Sequence, residues 1–291
     1  EIKIKKKTNN YGYFDDNNLE KDFKNLSKKI IIIGDSYVEA AQVENKNTVH
    51  GILTKKFQND YSVNGIGVKG SGLAQYLKFA KFAKEKIDPS IYIFFIIPND
   101  YENSYIKYRN LKGFHYFDNN FDIIRMDYEV SLFKKILRES VLVRYLIKNL
   151  KAHVTFARYK KYLLKKSNIK EKENENLKLK ITYKLIDKFL EEVNLIVGNK
   201  PVLFFMEADR NKIYYEKQSW TNFQNLITDY FIDKSKSMGF KTSSLHNVFK
   251  NDYKKHQIVH NSKVDSHWNE QGHSVVANEI FAILNKNYIK N

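Results

Sequence analysis

Lys29-Ile30-Ile31-Ile32-Ile33-Gly34-Asp35-Ser36 is an unbroken apolar, β-branched run that stops at a glycine. A strand with no polar alternation is buried on both faces, which points to a parallel sheet covered by helices. Similar β-rich runs recur at Tyr61–Ile66, Ile91–Ile97, Val202–Met206 and Phe240–Leu245, and with Lys29–Ile33 they make five expected strands. Helical patterns lie between them. Thr48–Phe57 carries Val49, Ile52, Leu53 and Phe57 at helical spacing, and Leu73–Lys86 places Leu77, Ala80 and Ala83 on one face. Trp220–Met238 follows the fourth run, and Glu270–Asn285 closes the series with Val275, Val276, Ile280, Ile283 and Leu284 as its stripe. Strand–helix alternation of this kind predicts an α/β sandwich with right-handed crossovers.

One crossover is far longer than the rest. Tyr101–Asp127 is aromatic and irregular, Val130–Leu164 and Asn176–Val197 have helical patterns, and the charged stretch Lys170–Asn176 separates them. The span 101–198 reads as a helical insertion within a single domain covering residues 1–291. Loops of that length usually act as lids or binding surfaces.

Composition narrows the class. A hydrophobic fraction of 42% with only three prolines argues for a folded globule and against long disordered linkers. A net charge of +17, from 50 Lys and Arg against 33 Asp and Glu, has two readings. It can draw nucleic acid, anionic lipid or acidic polysaccharide. It can equally reflect a Lys-, Asn-, Ile- and Tyr-rich composition whose lysines cover solvated faces. The absence of cysteine excludes a disulfide framework, a thiolate zinc site and a cysteine nucleophile. No apolar run approaches the roughly 18 residues that span a bilayer. The chain opens at Glu1 rather than Met, which leaves room for a signal peptide or membrane anchor ahead of it.

The ends of the expected strands carry the chemistry. Gly34 allows a sharp turn after the first strand and leaves Ser36 at the C-terminal edge of the sheet, where open α/β sheets bind ligands. The plain alternative is that Asp35 and Ser36 are turn and N-cap residues. After the second strand, Val63–Gly72 contains Gly65, Gly67 and Gly70 in a G-x-G-x-x-G pattern. A dinucleotide loop would follow the first strand and would place an acidic residue at the end of the next, where Pro98-Asn99 stands instead. The other use of this loop is a Gly70 backbone N–H aimed at the same point as Ser36. Asn99, after the third strand, can donate a side-chain N–H to an oxyanion, a contribution of about 3 kcal/mol for one donor. Singly it is also an ordinary turn residue. Asp265-Ser266-His267-Trp268-Asn269 precedes the last helix. There a carboxylate can orient an imidazole that serves as general base. Asn269 fits an N-cap, His273 a helix position, and His256 and His260 a polar loop.

Together these blocks resemble the SGNH hydrolase superfamily, the GDSL esterases and acetyltransferases, over most of residues 29–100 and 200–286. The resemblance implies a flavodoxin-like three-layer α/β/α sandwich around a five-stranded parallel sheet. It implies Ser36 as nucleophile, Asp265 and His267 as its partners, and an oxyanion hole from Ser36, Gly70 and Asn99. The last block departs from the family's Asp-x-x-His, being Asp-x-His followed by Trp-Asn-x-x-Gly-His. That form is similar to bacterial envelope members, including the alginate acetyltransferase-like branch, and implies a periplasmic or membrane-anchored place in a cell envelope. Pro98 stands where a glycine often precedes the asparagine. The expected reaction is hydrolysis or transfer of an acyl group, acetyl by the same resemblance, on an ester that a surface glycan would carry. Neither metal nor organic cofactor is expected, and nucleic acid is not an expected partner. The competing expectation is a non-catalytic module on the same fold. It would bind a glycan or a membrane surface through Tyr105, Tyr108, Arg109, Tyr159, Lys160, Lys161 and Tyr162.

Overall fold

The computed structural model describes residues 4–19, 28–58, 60–130 and 175–289, with a few positions between 132 and 145. The strands in chain order are β1 (Lys29–Gly34), β2 (Ser62–Gly67), β3 (Ile91–Ile96), β4 (His115–Phe117), β5 (Ile123–Arg125), β6 (Val202–Met206) and β7 (Lys241–Ser244). The helices are α1 (Ser36–Glu39), α2 (Val49–Phe57), α3 (Leu73–Lys86), α4 (Glu175–Val197), α5 (Arg210–Tyr215), α6 (Asn222–Ser237), α7 (His246–His256) and α8 (Glu270–Asn287).

The five expected strands form one parallel sheet in the order β2-β1-β3-β6-β7. Period-two geometry divides each apolar run between two cores. Ile31 and Ile33 of β1, with Phe94 and Phe204, face α3, α4 and α6. Ile30 and Ile32, with Phe95 and Phe205, face α2, α7 and α8. All four isoleucines are fully buried, which is why the run has no polar alternation. The result is the expected three-layer α/β/α sandwich. β7 departs from the expectation of a strand buried on both faces. It is an edge strand, and its Lys241 and Ser244 lie exposed at the sheet margin.

The chain leaves β1 toward β2 on one side and leaves β3 toward β6 on the other, so the sheet has its switch point between β1 and β3. Ligands bind outside the strand ends at such a point. Ser36 follows β1 and Asn99 follows β3, so the topology alone brings both to this crevice.

Within the span read as an insertion, α4 belongs to the sandwich. Its Leu185, Ile186, Phe189, Leu190 and Val193 are fully buried at helical spacing against α3 and α6. It is the crossover helix between β3 and β6. The aromatic stretch after β3 forms a short 3-10 turn (Glu102–Ser104) and an antiparallel hairpin of β4 and β5. The hairpin turn is built by Asp118, whose carboxylate accepts from the backbone N–H of Asn120 and Asp122 at 2.8 and 3.0 Å. Tyr116 and Phe117 are buried, and β4 lies along α3. The helical reading of Val130–Leu164 lies outside the described residues, apart from those few positions. Two further helices, α5 and α7, stand where no helix was expected. His256 ends α7 rather than lying in a polar loop, and His260 is in a loop but fully buried.

Candidate active site

Ser36 opens α1 directly after β1. Asp35 caps that turn, its carboxylate accepting from the Tyr37 backbone N–H at 3.0 Å. Space for the turn comes from Gly67 at the end of β2. A Cβ there would collide with the Glu39 backbone nitrogen and lie 2.8 Å from the Asp35 carbonyl oxygen. The G-x-G-x-x-G pattern therefore serves close packing of a strand end against the Ser36 turn. Gly70 has a φ of 81°, a conformation that favours glycine.

Opposite Ser36 sits the segment before α8, where each residue has its own task. Trp268 is fully buried and packs edge-on against Phe95 and Tyr37, at ring distances of 5.3 and 4.9 Å. Asn269 caps α8, accepting from the Gly272 N–H at 2.9 Å, as expected of an N-cap. The segment is latched to its neighbour by the Ser262 N–H donating to the His267 carbonyl and the Asn269 N–H donating to the His260 carbonyl. His267 Nε2 lies 2.8 Å from Ser36 Oγ, across 231 positions of sequence. Ser36 Oγ also lies 3.1 Å from Asp35 Oδ2, to which it can donate instead.

Asp265 Oδ2 is 3.0 Å from His267 Nδ1. That distance suits a hydrogen bond, but the ring N–H is not aimed at the oxygen, and Nδ1 lacks an aligned acceptor. The other carboxylate oxygen accepts from the His267 backbone N–H at 3.0 Å, and Gln42 Nε2 donates to Oδ2 at 3.0 Å. Burial opposes the charged form of Asp265. The hydrogen bonds from the His267 backbone and Gln42, with the nearby His267 ring, outweigh it and hold the carboxyl below its usual value.

Ser36, Gly70, Asn99, Asp265 and His267 line one cavity of about 740 Å³. All the expected site residues are thus brought together. Neither the Gly70 N–H nor the Asn99 side-chain amide makes a hydrogen bond among the described residues, so both can donate into the cavity. Below Ser36, burial pushes the carboxyls of Asp35 and Asp100 up, Asp100 well above the carboxylate range. Asp100 accepts from the Ile97 N–H at 2.8 Å and so shapes the turn that carries Asn99.

Two arginines at the site escaped the sequence reading as site residues. Arg210 pairs with Glu207 at 3.2 Å in a buried contact at the end of β6. It also donates to the Tyr37 hydroxyl at 3.0 Å, to the Ser266 carbonyl and to Asn261. One guanidinium thereby ties the Ser36 turn to the His267 segment. Arg109, named only within a surface pattern, lines the same cavity as Ser36 and His267. Among the described residues no group of three or more His, Cys, Asp or Glu side chains could hold a metal ion. None of the described helices is long and apolar enough to cross a membrane.

No protein-family model matches the chain, and no curated protein matches it in sequence. Solved structures do match. A mutant of an acetyl-xylooligosaccharide esterase from Geobacillus Stearmophilus is 10% identical at a TM-score of 0.50, over 92% of this chain and 99% of that one. An α/β hydrolase enzyme from the metagenome of Lake Arreo, Spain, is 11% identical at a TM-score of 0.50, over 92% and 99%. A member of the lipolytic G-D-S-L family from Veillonella parvula is 13% identical at a TM-score of 0.47, over 88% and 98%. Identities this low speak for the fold alone. The chain adopts the SGNH hydrolase fold.

Proposed function

We propose that this chain is a serine esterase or O-acyltransferase that works through an acyl-enzyme on Ser36. The observation that carries this reading is the 2.8 Å approach of Ser36 Oγ to His267 Nε2, with Asp265 behind the ring. Ser36 Oγ attacks the acyl carbonyl carbon while its proton passes to His267 Nε2. The backbone N–H groups of Ser36 and Gly70 and the Asn99 amide hold the resulting oxyanion. His267 then returns the proton to the leaving alcohol as the C–O bond breaks. Water, or a hydroxyl of an acceptor, attacks the acyl-enzyme by the reverse sequence and frees Ser36.

An acetyl ester on a glycan is the substrate class this reading favours. The acetyl-xylooligosaccharide esterase of the same fold acts on such a compound, and the cavity volume suits a small ligand. Beyond Asn99 lies a second recess of about 230 Å³, lined by Asn211, Trp220 and Gln224. A ring face and amide groups of this kind suit a sugar. A cell-envelope location accords with such a substrate.

The wild-type chain is expected to hydrolyse p-nitrophenyl acetate, and Ser36→Ala to lower kcat by about 10⁴-fold or more. A fluorophosphonate should add mass at Ser36 alone. Equal rates in the two proteins, or labelling elsewhere, would leave the fold as a binding module. The aromatic and basic positions Tyr159, Lys160, Lys161 and Tyr162 of that rival reading lie outside the described residues.

A further inference from the structure

We propose that Arg109 reads an anionic group, a carboxylate or phosphate, carried by the substrate beside the scissile ester. The inference rests on the esterase reading and specifies which esters the site prefers. Arg109 follows the 3-10 turn after β3, and its side chain lines the cavity that holds Ser36 and His267. It packs against the Gly70 turn so closely that a Cβ on Gly70 would lie 2.7 Å from a terminal guanidinium nitrogen. Its other terminal nitrogen donates to Asn103 Oδ1, and Asn103 is itself buried. That bond fixes the direction of the fork and occupies one of its five N–H donors.

Among the described residues the charge of this guanidinium is not matched. No carboxylate among the described residues forms an ion pair with it. The acidic groups of the cavity are bound elsewhere. Asp35 accepts from Ser36 and Tyr37, Asp265 from Gln42 and His267, and Glu39 from the Lys69 backbone N–H. A planar fork held by one amide, facing a cavity and lacking a counter-ion, matches a carboxylate or phosphate in geometry and charge. The exposed Lys69 on the adjacent turn adds a second positive charge at the rim. Gly70 and Asn99 serve the carbonyl oxygen in the proposed mechanism, which leaves the fork, on the wall of the same cavity, to another group of the substrate.

The test compares kcat/KM for 4-acetoxybenzoate, 4-acetoxyphenyl phosphate and the neutral methyl 4-acetoxybenzoate. Wild type should favour at least one charged ester by about tenfold, mostly through KM, as one partly solvated charge-assisted contact allows. The larger of the two charged responses identifies carboxylate or phosphate as the group read. Added salt should shrink the preference, a readout that needs no variant. Arg109→Gln should bring the charged-to-neutral ratio close to one, and Arg109→Lys should retain part of it. No charge preference in wild type would overturn the inference, as would an equal loss on all three esters in Arg109→Gln. Both outcomes leave the esterase reading standing. Absence of turnover of every ester by wild type would instead overturn that reading and the inference with it.

Discussion

Asp265 stands two positions before His267, and its carboxylate curls back to accept from that residue's own backbone N–H. The short spacing makes this local turn and leaves the ring contact at 3.0 Å poorly aligned. Gln42 supplies part of the orientation that a longer spacing would assign to the ring contact. Asp265→Asn should therefore lower kcat on p-nitrophenyl acetate by about 10²-fold, whereas His267→Ala should cost about 10⁴-fold or more. Steady-state kinetics of the two variants test the order, and an equal loss would assign Asp265 the full orienting role. The expected site residues were legible because each adjoins a strand end or a helix start, where the pattern breaks. Arg109 and Arg210 were not legible as site residues. Their placement depends on side chains reaching across elements, and nothing in their local spacing announces Gly70 or Ser266 as neighbours.

At the scale of elements, α4 shows what packing decides. Its stripe predicted a helix over Asn176–Val197, and the observed Glu175–Val197 covers that range. That the helix lies on the sheet follows from which apolar surface it covers. Phe189 is fully buried, with edge contacts to Phe94 and Phe204 at ring distances of 5.9 and 6.1 Å. Phe189→Ala should lower unfolding stability by about 3–5 kcal/mol, measured in urea, because little around it can collapse into the gap. A loss below about 1 kcal/mol would show that α4 is not part of the cooperative core. The β4–β5 hairpin and helices α5 and α7 were missed for a different reason. The strands are only three residues long, and α7 buries only Phe249. Elements that short or that polar carry no periodic signal, and their form is set by contacts such as the Asp118 turn.

Across the whole molecule, buried imidazoles and the buried carboxyls of Asp35 and Asp100 pull the response to acid in opposite directions. His273 on α8 is completely buried, and burial lowers its pKa to about 3. Burial also lowers His50, against the opposing pull of Asp15, and His260, against that of Asp252. Each native ring refuses a proton that the unfolded chain accepts below about pH 6.5. The contribution of each neutral ring is therefore complete above that value and is lost as pH drops toward the folded pKa, by about 1.4 kcal/mol per pH unit for one ring. Urea midpoints of wild type and His273→Leu, compared from about pH 6.5 to about pH 4, should show the variant losing less stability on acidification, by about one proton in slope. An unchanged slope in that variant would mean the ring is not neutral in the native state.

Ser36 and His267 are neighbours in space although 231 positions of sequence separate them. No early portion of the polypeptide can hold both, and the sheet between them must close before they meet. On the proposed esterase reading, a chain still being synthesised stays inert toward esters until the stretch carrying the imidazole has emerged and docked. On that reading, turnover would double as a signal of completed folding.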